Sequence, residues 1–281
     1  MQRQKSFEGT SAVLYLVATP IGNLEELTPR AIEILKSVDV IAAEDTRNTV
    51  RLLSHFDIKT KLIAHHEFNE QQSSHGIVEL LEQGKSVALV SDAGYPCISD
   101  PGAYLVKSVS DAGYPVVPIS GANACLAALV ASGITPQPYM FYGFLDAKES
   151  KRKEQLTTLE PIPYTIVFYE APHRIAKTLT SMLEVLGDRN ICLARELTKL
   201  HEEFIRGKIS EVLEIVDTPK GEMVVVVEGK SEKPQVVTMS MISAKVDEYI
   251  SNGMSASAAI KCAAKDLNIS KNEVYRIYHQ A

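Results

Sequence analysis

Residues 87–102, Val87-Ala88-Leu89-Val90-Ser91-Asp92-Ala93-Gly94-Tyr95-Pro96-Cys97-Ile98-Ser99-Asp100-Pro101-Gly102, run from an apolar stretch into a loop with two carboxylates, two glycines and two prolines. The apolar run is short and reads as a strand buried on both faces, as in a parallel sheet. Gly94 lets the backbone approach a ligand closely. Asp92 and Asp100 would then stand at the carboxyl end of a strand, where open α/β sheets hold their ligands. The same residues also read as a plain loop, with Asp100 capping and Pro101 opening the next helix. Both readings stand at this level.

The pattern repeats outward from that loop. Val13 to Ala18 reads as a strand ending in the turn Thr19-Pro20-Ile21-Gly22-Asn23, and Thr28-Pro29 opens a helix. Val38 to Ala43 is a second strand, ending at Glu44-Asp45-Thr46-Arg47, and Ile77 to Leu81 is helical. A helix from Pro101 to about Ser110 leads to a strand at Val116 to Ile119, then to Ser120-Gly121-Ala122-Asn123 and an Ala- and Leu-rich helix. Alternation at this spacing predicts a mostly parallel sheet. The turns after the first, third and fourth of these strands fall on one edge and can line one crevice.

The segment 134–139, Ile-Thr-Pro-Gln-Pro-Tyr, is the most proline-dense break and is placed as a domain boundary. Beyond it, strands are predicted at Thr165 to Tyr169, Asn190 to Ala194, Phe204 to Gly207 and Glu222 to Glu228, with helices at Pro172 to Leu186 and Ile209 to Val216. With fewer crossover helices, a mixed sheet is expected. After Lys233-Pro234, three helical segments capped by serines form a helix-turn-helix-like tail. The organisation expected is α/β: a mobile arm (1–12), an N-terminal α/β domain (13–134), a C-terminal α/β domain (135–233) and a small helical tail (234–281).

Composition narrows the function classes. Of 281 residues, 45% are hydrophobic and 23% charged, as in a soluble globular protein. No apolar run is long enough to span a membrane, and the start MQRQKSFEGTS has no apolar signal core, so a cytoplasmic protein is expected. Cys97, Cys125, Cys192 and Cys262 lie far apart, and His65-His66 has no third ligand nearby in sequence; neither a disulfide framework nor a metal site is expected. The net charge of −6 opposes whole-surface attraction to nucleic acid. The run Lys148-Glu149-Ser150-Lys151-Arg152-Lys153 is a local exception, readable as a solvated helix start or as a phosphate-contacting lip. The tail carries five cations against four anions, weak support for groove binding.

Neither GxGxxG nor GxxxxGK[ST] occurs at the strand ends, which disfavours dinucleotide hydride transfer and P-loop chemistry. Tyr169-Glu170-Ala171-Pro172-His173-Arg174 and Arg195-Glu196-Leu197-Thr198-Lys199-Leu200-His201-Glu202 each place acids, a histidine and a cation just after a strand, where acid–base residues are expected. Exposed ion pairs are the alternative reading of both clusters.

Five segments, VATPIGNLEELTPRA, SDAGYPCISDPG, PISGANACLAALVASGI, FYEAPHR and ARELTKLHEEFIRG, occur in the order found in the tetrapyrrole-methylase superfamily, the class III S-adenosylmethionine-dependent methyltransferases. The chain most resembles the ribosomal branch of that superfamily, the RsmI family, from about Val13 to Gly229 and in its helical tail. EAPHR and RELTK with HEE separate this branch from the tetrapyrrole and diphthine methylases. The resemblance implies 2′-O-methylation of a cytidine ribose in the decoding region of 16S rRNA by a homodimer acting on the small ribosomal subunit, with S-adenosyl-L-methionine held between the two α/β domains. Cofactor contacts are implied at Pro20, Gly22, Asp92, Ala93, Gly94, Tyr95, Gly121, Asn123, Ala124, Tyr169, Met223 and Val224. Ser91-Asp92-Ala93 stands where tetrapyrrole members usually carry GDP.

For the proton on the ribose hydroxyl, Lys199 is the expected base if desolvation makes it neutral, with Glu170, Glu196 or Glu202 as base or ribose-orienting group. Lys151, Arg152, Lys153, Arg174 and Arg195 are the expected RNA contacts. The alternatives are a tetrapyrrole or protein methyltransferase on the same scaffold and a non-catalytic nucleic-acid-binding module.

Overall fold

A computed structural model describes residues 3–6, 12–216, 221–231, 238–267 and 269–280. The linker at Lys233-Pro234 and most of the N-terminal arm lie outside the described residues. Within the arm, Gln4 bonds both backbone groups of Val116, donating to its carbonyl at 2.9 Å and accepting from its N–H at 3.0 Å.

The first sheet consists of β1 (Leu14–Val17), β2 (Val40–Ala43), β3 (Lys61–Ala64), β4 (Val87–Val90) and β5 (Val116–Ile119), in the order β3-β2-β4-β1-β5. All four pairings are parallel. Helices α1 (Pro29–Ser37), α2 (Thr46–His55), α3 (Glu70–Glu82), α4 (Ala103–Asp111) and α5 (Ala124–Ala131) are interspersed with these strands. Every residue of β2 and β4 is buried, which explains why they read as unbroken apolar runs. Two apolar clusters, one containing Leu35, Ile41 and Ile119 and the other Ile77, Leu89 and Leu105, form this half's core. Each such side chain contributes about 1.5–3 kcal/mol by burial.

Thr28 caps α1 through Ala31 N–H at 3.2 Å, with Pro29 as first helical residue, as the sequence predicts. The start of α4 differs from expectation. It begins at Ala103, and its cap Gly102 (φ +134°) donates its N–H to Glu70 Oε1 at 2.8 Å. Asp100 is thereby released from the capping role.

The second sheet holds β6 (Tyr139–Phe144), β7 (Thr165–Glu170), β8 (Asn190–Arg195), β9 (Glu203–Lys208) and β10 (Met223–Val227), in the order β6-β7-β10-β8-β9. It is mixed: β6 and β7 run parallel and the other pairings are antiparallel. Helices α6 (Glu149–Leu159), α7 (Ile175–Leu186) and α8 (Ile209–Ile215) accompany it. Because β10 runs against both β7 and β8, its first residue, Met223, faces Glu170 on one side and Arg195 on the other. The two clusters that follow β7 and β8 are therefore brought together at the segment Glu222–Val224.

Residues 1–230 form one compact unit that includes both sheets, and residues 231–281 form a second. The second contains α9 (Met239–Ser251), α10 (Ala256–Asp266) and α11 (Lys271–Gln280) around a core of Ile242, Val246, Ile260, Ala263 and Val274. Among the described residues no helix is long and apolar enough to cross a membrane.

Candidate functional site

The turns after β1, β4 and β5 are joined directly. Thr19 and Gly94 exchange backbone hydrogen bonds at 2.9 and 3.0 Å, and Thr19 Oγ1 donates to Ser91 O at 3.1 Å. Gly94 has φ +79°, a conformation that favours glycine and lets the loop close on β1. Gly121 N–H donates to the Tyr95 hydroxyl at 3.2 Å, fixing the third turn to the second. Asn123 caps α5 by accepting from Leu126 N–H at 2.9 Å. The Tyr169 hydroxyl, from β7, accepts from Cys125 N–H at 3.2 Å. Burial, then the neighbouring Cys125, raises the Tyr169 pKa to about 12.

These joins enclose a pocket of about 400 Å³, within the range of small-molecule sites. Asp92 to Tyr95, Ile98 to Asp100, Asn123 and Ala124 line it from the first sheet's turns; Phe144, Tyr169 to Pro172 and Glu222 to Val224 line it from the second sheet. Ile21, Phe144, Tyr169, Met223 and Val224 supply an apolar wall on which a flat ring can lie. The ring of Tyr169 is held edge-on by Phe141 and Phe144, at 4.8 and 5.7 Å between centroids.

The charge of the pocket is one-sided. Among the described residues its lining contains Asp92, Asp100, Glu170 and Glu222 and no lysine, arginine or histidine, with Arg174 and Lys199 standing behind Glu170 and Glu222 as their partners. Burial raises the Asp100 pKa above the ordinary carboxylate range, partly offset by a hydrogen bond from Ser91, and the Asp92 charge raises it further. Glu44, at the end of β2, is raised by burial and then by Asp100 and Asp92. Asn48 Nδ2 holds Asp92 Oδ2 at 2.8 Å. Such a surface suits a cationic ligand.

Of the residues named from sequence as cofactor contacts, Asp92, Ala93, Gly94, Tyr95, Asn123, Ala124, Tyr169, Met223 and Val224 line the pocket, whereas Pro20, Gly22 and Gly121 do not. Gly22 instead packs beneath Lys199: a Cβ there would lie 2.5 Å from Lys199 Cγ. Gly121 serves through its N–H. Ile98, Ser99, Asp100, Phe144 and Glu222 are lining residues absent from that set. Their signal was the loop itself and the strand ends. The contribution of Glu44 and Asn48 needed the strand order, since β2 lies beside β4 only in the folded sheet.

The acid–base candidates divide. Lys199 Nζ lies 2.9 Å from Glu196 Oε1 and 3.7 Å from Glu222 Oε2, so it meets a pocket residue. Burial by itself would lower its pKa, but the Glu196 hydrogen bond and the Glu222 and Glu196 charges outweigh burial and hold it above the usual lysine value. The expectation of a neutral lysine is therefore corrected: this side chain is an ammonium. Glu170 is only 2% exposed and both its oxygens are engaged, Oε1 by Ala171 N–H at 2.8 Å and Oε2 by the Thr178 hydroxyl, with Arg174 Nε 3.1 Å from Oε1. These partners hold it in place at the strand end, which favours a positioning role for Glu170 over that of a base. Glu202 Oε2 accepts from Thr198 N–H at 2.7 Å and so shapes the turn that presents Lys199. Glu196 (φ +50°) and Thr198 (φ +68°) hold left-handed conformations on either side of Leu197, uncommon for residues with side chains.

The predicted RNA contacts also separate. Arg152 is 3% exposed and donates to Ser181 Oγ, Asp146 O and Ala147 O, so it is a structural residue closed to solvent, contrary to expectation. Lys153 is paired with Glu149 and Glu184, Arg174 with Glu170, and Arg195 with Glu203. Lys151 is exposed and has no ion-pair partner among the described residues. His65 is buried with Nδ1 2.7 Å from Ser73 Oγ, as part of the scaffold after β3.

Comparison with known proteins gives these features a context. A family model described as Tetrapyrrole (Corrin/Porphyrin) Methylases matches residues 13–213. The chain is 52% identical to the ribosomal RNA small subunit methyltransferase I of Bacillus subtilis (strain 168), covering 99% of each chain. It is 41% identical to the protein of that name from Synechocystis sp., over 94% of this chain and 96% of that one. Among solved structures it resembles diphthine synthase, with a TM-score of 0.61 and 13% identity over 78% of this chain and 91% of that one. It also resembles the uroporphyrin-III-C-methyltransferase of Thermus thermophilus, with a TM-score of 0.54 and 19% identity over 76% and 94%. At these identities the two structures speak to the fold alone. The chain belongs to the tetrapyrrole methylase family and, within it, to the ribosomal RNA small subunit methyltransferase I branch.

Proposed function

We propose that the chain methylates ribosomal RNA with S-adenosyl-L-methionine as donor, and that the acceptor is the ribose 2′-oxygen of a cytidine in the decoding region of 16S rRNA. The single observation that carries the donor is the pocket: one apolar wall and four carboxylates, with no basic residue among the described residues of the lining. A sulfonium and an α-amino group are cations that this lining attracts, and the adenine ring suits the wall of Tyr169, Met223 and Val224. Asn123 and Tyr169 take the Leu126 and Cys125 N–H groups at the start of α5, and the remaining Ala124 N–H, at the pocket lining, suits the donor's carboxylate. When bound, the donor supplies an electrophilic methyl group on sulfur.

Catalysis then rests on holding the ribose hydroxyl in near-attack geometry. Glu222 lines the pocket with a side chain 77% exposed, and we assign it as acceptor of the hydroxyl proton. Lys199, held charged 3.7 Å from that carboxylate, binds and orients the sugar–phosphate as a cation. Glu196 and Glu202 position Lys199. The chain acts as a homodimer on the assembled small subunit, and recognition there by shape, not by whole-surface charge, accommodates its negative charge.

Mapping of ribose methylation in small-subunit rRNA from cells lacking the chain tests this reading. A single cytidine in the decoding region should lose its 2′-O-methyl group and regain it when the gene is restored. An unchanged methylation map contradicts the reading.

A further inference from the structure

The second compact unit tells its acids and its cations apart. Asp247 accepts from the Tyr278 hydroxyl at 2.6 Å, Asp266 accepts from the Tyr249 hydroxyl, and Glu248 pairs with Lys245 at 2.9 Å. The first two bonds tie α9 to α11 and to α10 and the third lies within α9, so three of the four acids among the unit's described residues have a partner inside its own scaffold. Glu273 stands in the first turn of α11, where the helix dipole favours it. Lys261, Lys265, Lys271 and Arg276 are all exposed, and none has an ion-pair partner among the described residues. Near-neutral composition thus hides an unpaired basic surface.

The exposed side of α11 has a further character. Val274 is fully buried, and Ile277 and Tyr278 pack beside it against the unit's core. Helical spacing then turns Lys271, Asn272, Tyr275, Arg276 and His279 outward, and all five are exposed. Tyr275 is 56% exposed, and its ring lies 4.3 Å from that of His279, a neighbour that limits its freedom of movement. An aromatic ring held open to solvent between a lysine and an arginine offers a stacking surface beside phosphate contacts, the combination that binds unpaired bases. The face has no aliphatic stripe for a membrane or a partner helix.

We infer that the outward face of α11, with Lys261 and Lys265 of α10, is an RNA-binding surface that takes an unpaired nucleotide on Tyr275 and neighbouring phosphates on the cations. This rests on RNA being the substrate and adds a second point of attachment, remote in sequence from the pocket.

The test uses the full chain in three forms, wild type, Lys271→Gln/Arg276→Gln and Tyr275→Ala, with binding to small subunits and to a decoding-region rRNA fragment measured over a range of salt concentrations. Donor affinity, measured by calorimetry, reports that each variant is folded. The charge variant should bind RNA about 10-fold more weakly, and its slope of log K against log salt should be shallower by about 1.4, for two phosphate contacts at roughly 0.7 each. Tyr275→Ala should lose several-fold in affinity with its slope unchanged. Unchanged RNA affinity in both variants, while the wild type binds and methylates RNA, overturns this inference and leaves the methyltransferase reading standing. Normal binding to the fragment with loss of binding to the subunit marks a protein contact and also overturns it. A wild type that binds donor but neither binds nor methylates RNA overturns the reading beneath it.

Discussion

The Tyr169 hydroxyl accepts the Cys125 N–H at 3.2 Å, so a residue at the end of β7 satisfies one of the free amides at the start of α5. This bond joins the second sheet to the first across the pocket wall. Tyr169→Phe removes the acceptor from a buried position and should cost about 1 kcal/mol in urea denaturation. It should also weaken donor binding several-fold in calorimetry, because the ring and the helix start would no longer be fixed to each other. Unaltered values in both measurements would show that the bond contributes nothing.

Lys199 offers a sharper choice between roles. As an ammonium held by Glu196 and Glu222, it should tolerate Lys199→Arg with a loss of about 10-fold or less in kcat/KM, whereas Lys199→Ala should lose roughly 10²-fold. A lysine base would be abolished by either change, since a guanidinium does not surrender its proton. Steady-state methyl transfer with both variants decides it, with donor affinity expected to stay unchanged in each.

Glu44 and Asp100 should make the pocket's charge depend on pH. Burial raises both pKa values, with Asp100 and Asp92 adding to it at Glu44 and Asp92 at Asp100, so each proton is held more tightly in the folded chain than in the unfolded one. The resulting stability is full below the unfolded carboxylate pKa and is lost as pH rises through the raised folded values. Asp100→Asn should therefore raise the Tm at pH 7 and flatten the Tm–pH curve across the window between the unfolded and folded carboxylate pKa values. The same change should weaken binding of the cationic donor more than that of its uncharged thioether product, as two calorimetric titrations would report. A lower Tm at pH 7, or equal weakening of the two ligands, would contradict this.

Arg152→Ala should destabilise the chain by about 2–3 kcal/mol, the scale of hydrogen bonds made by a charged group, and leave RNA affinity per folded molecule unchanged. Lys151→Glu should do the opposite: stability within about 0.5 kcal/mol of wild type and weaker RNA binding. Chemical denaturation and filter binding separate the two.

The parallel core of the first sheet was legible because β1, β2 and β4 are apolar runs bounded by strong turn signals, and the helix at Pro29 carried its own cap. β3 and β6 were not read as strands. Lys61–Ala64 is an edge strand with no buried residue, and Tyr139–Phe144, also at an edge, has a register shift between Phe141 and Gly143 that blurs its alternation. α2 was hidden behind Glu44-Asp45-Thr46-Arg47, read only as a strand end, although Asp45 caps the helix. In the site, glycine-bearing turns announced most of the pocket lining. The state of Lys199 was not legible, because it depends on Glu222, which β10 brings alongside from 23 residues away. Arg152 was misread from its charge, although its spacing from Leu156 and Leu159 placed it on the buried side of α6.

The claim on which the rest depends is that turns from both sheets form one anionic pocket for a sulfonium methyl donor. Calorimetry of the wild type and of Ala93→Trp with S-adenosyl-L-methionine tests it most directly, since Ala93 lines the pocket at an exposed position and can be enlarged without disturbing the core. Saturable heat at one site per chain, abolished by the tryptophan in a protein of unchanged Tm, is the result predicted. A flat trace from the wild type, or equal binding by both proteins, would contradict it.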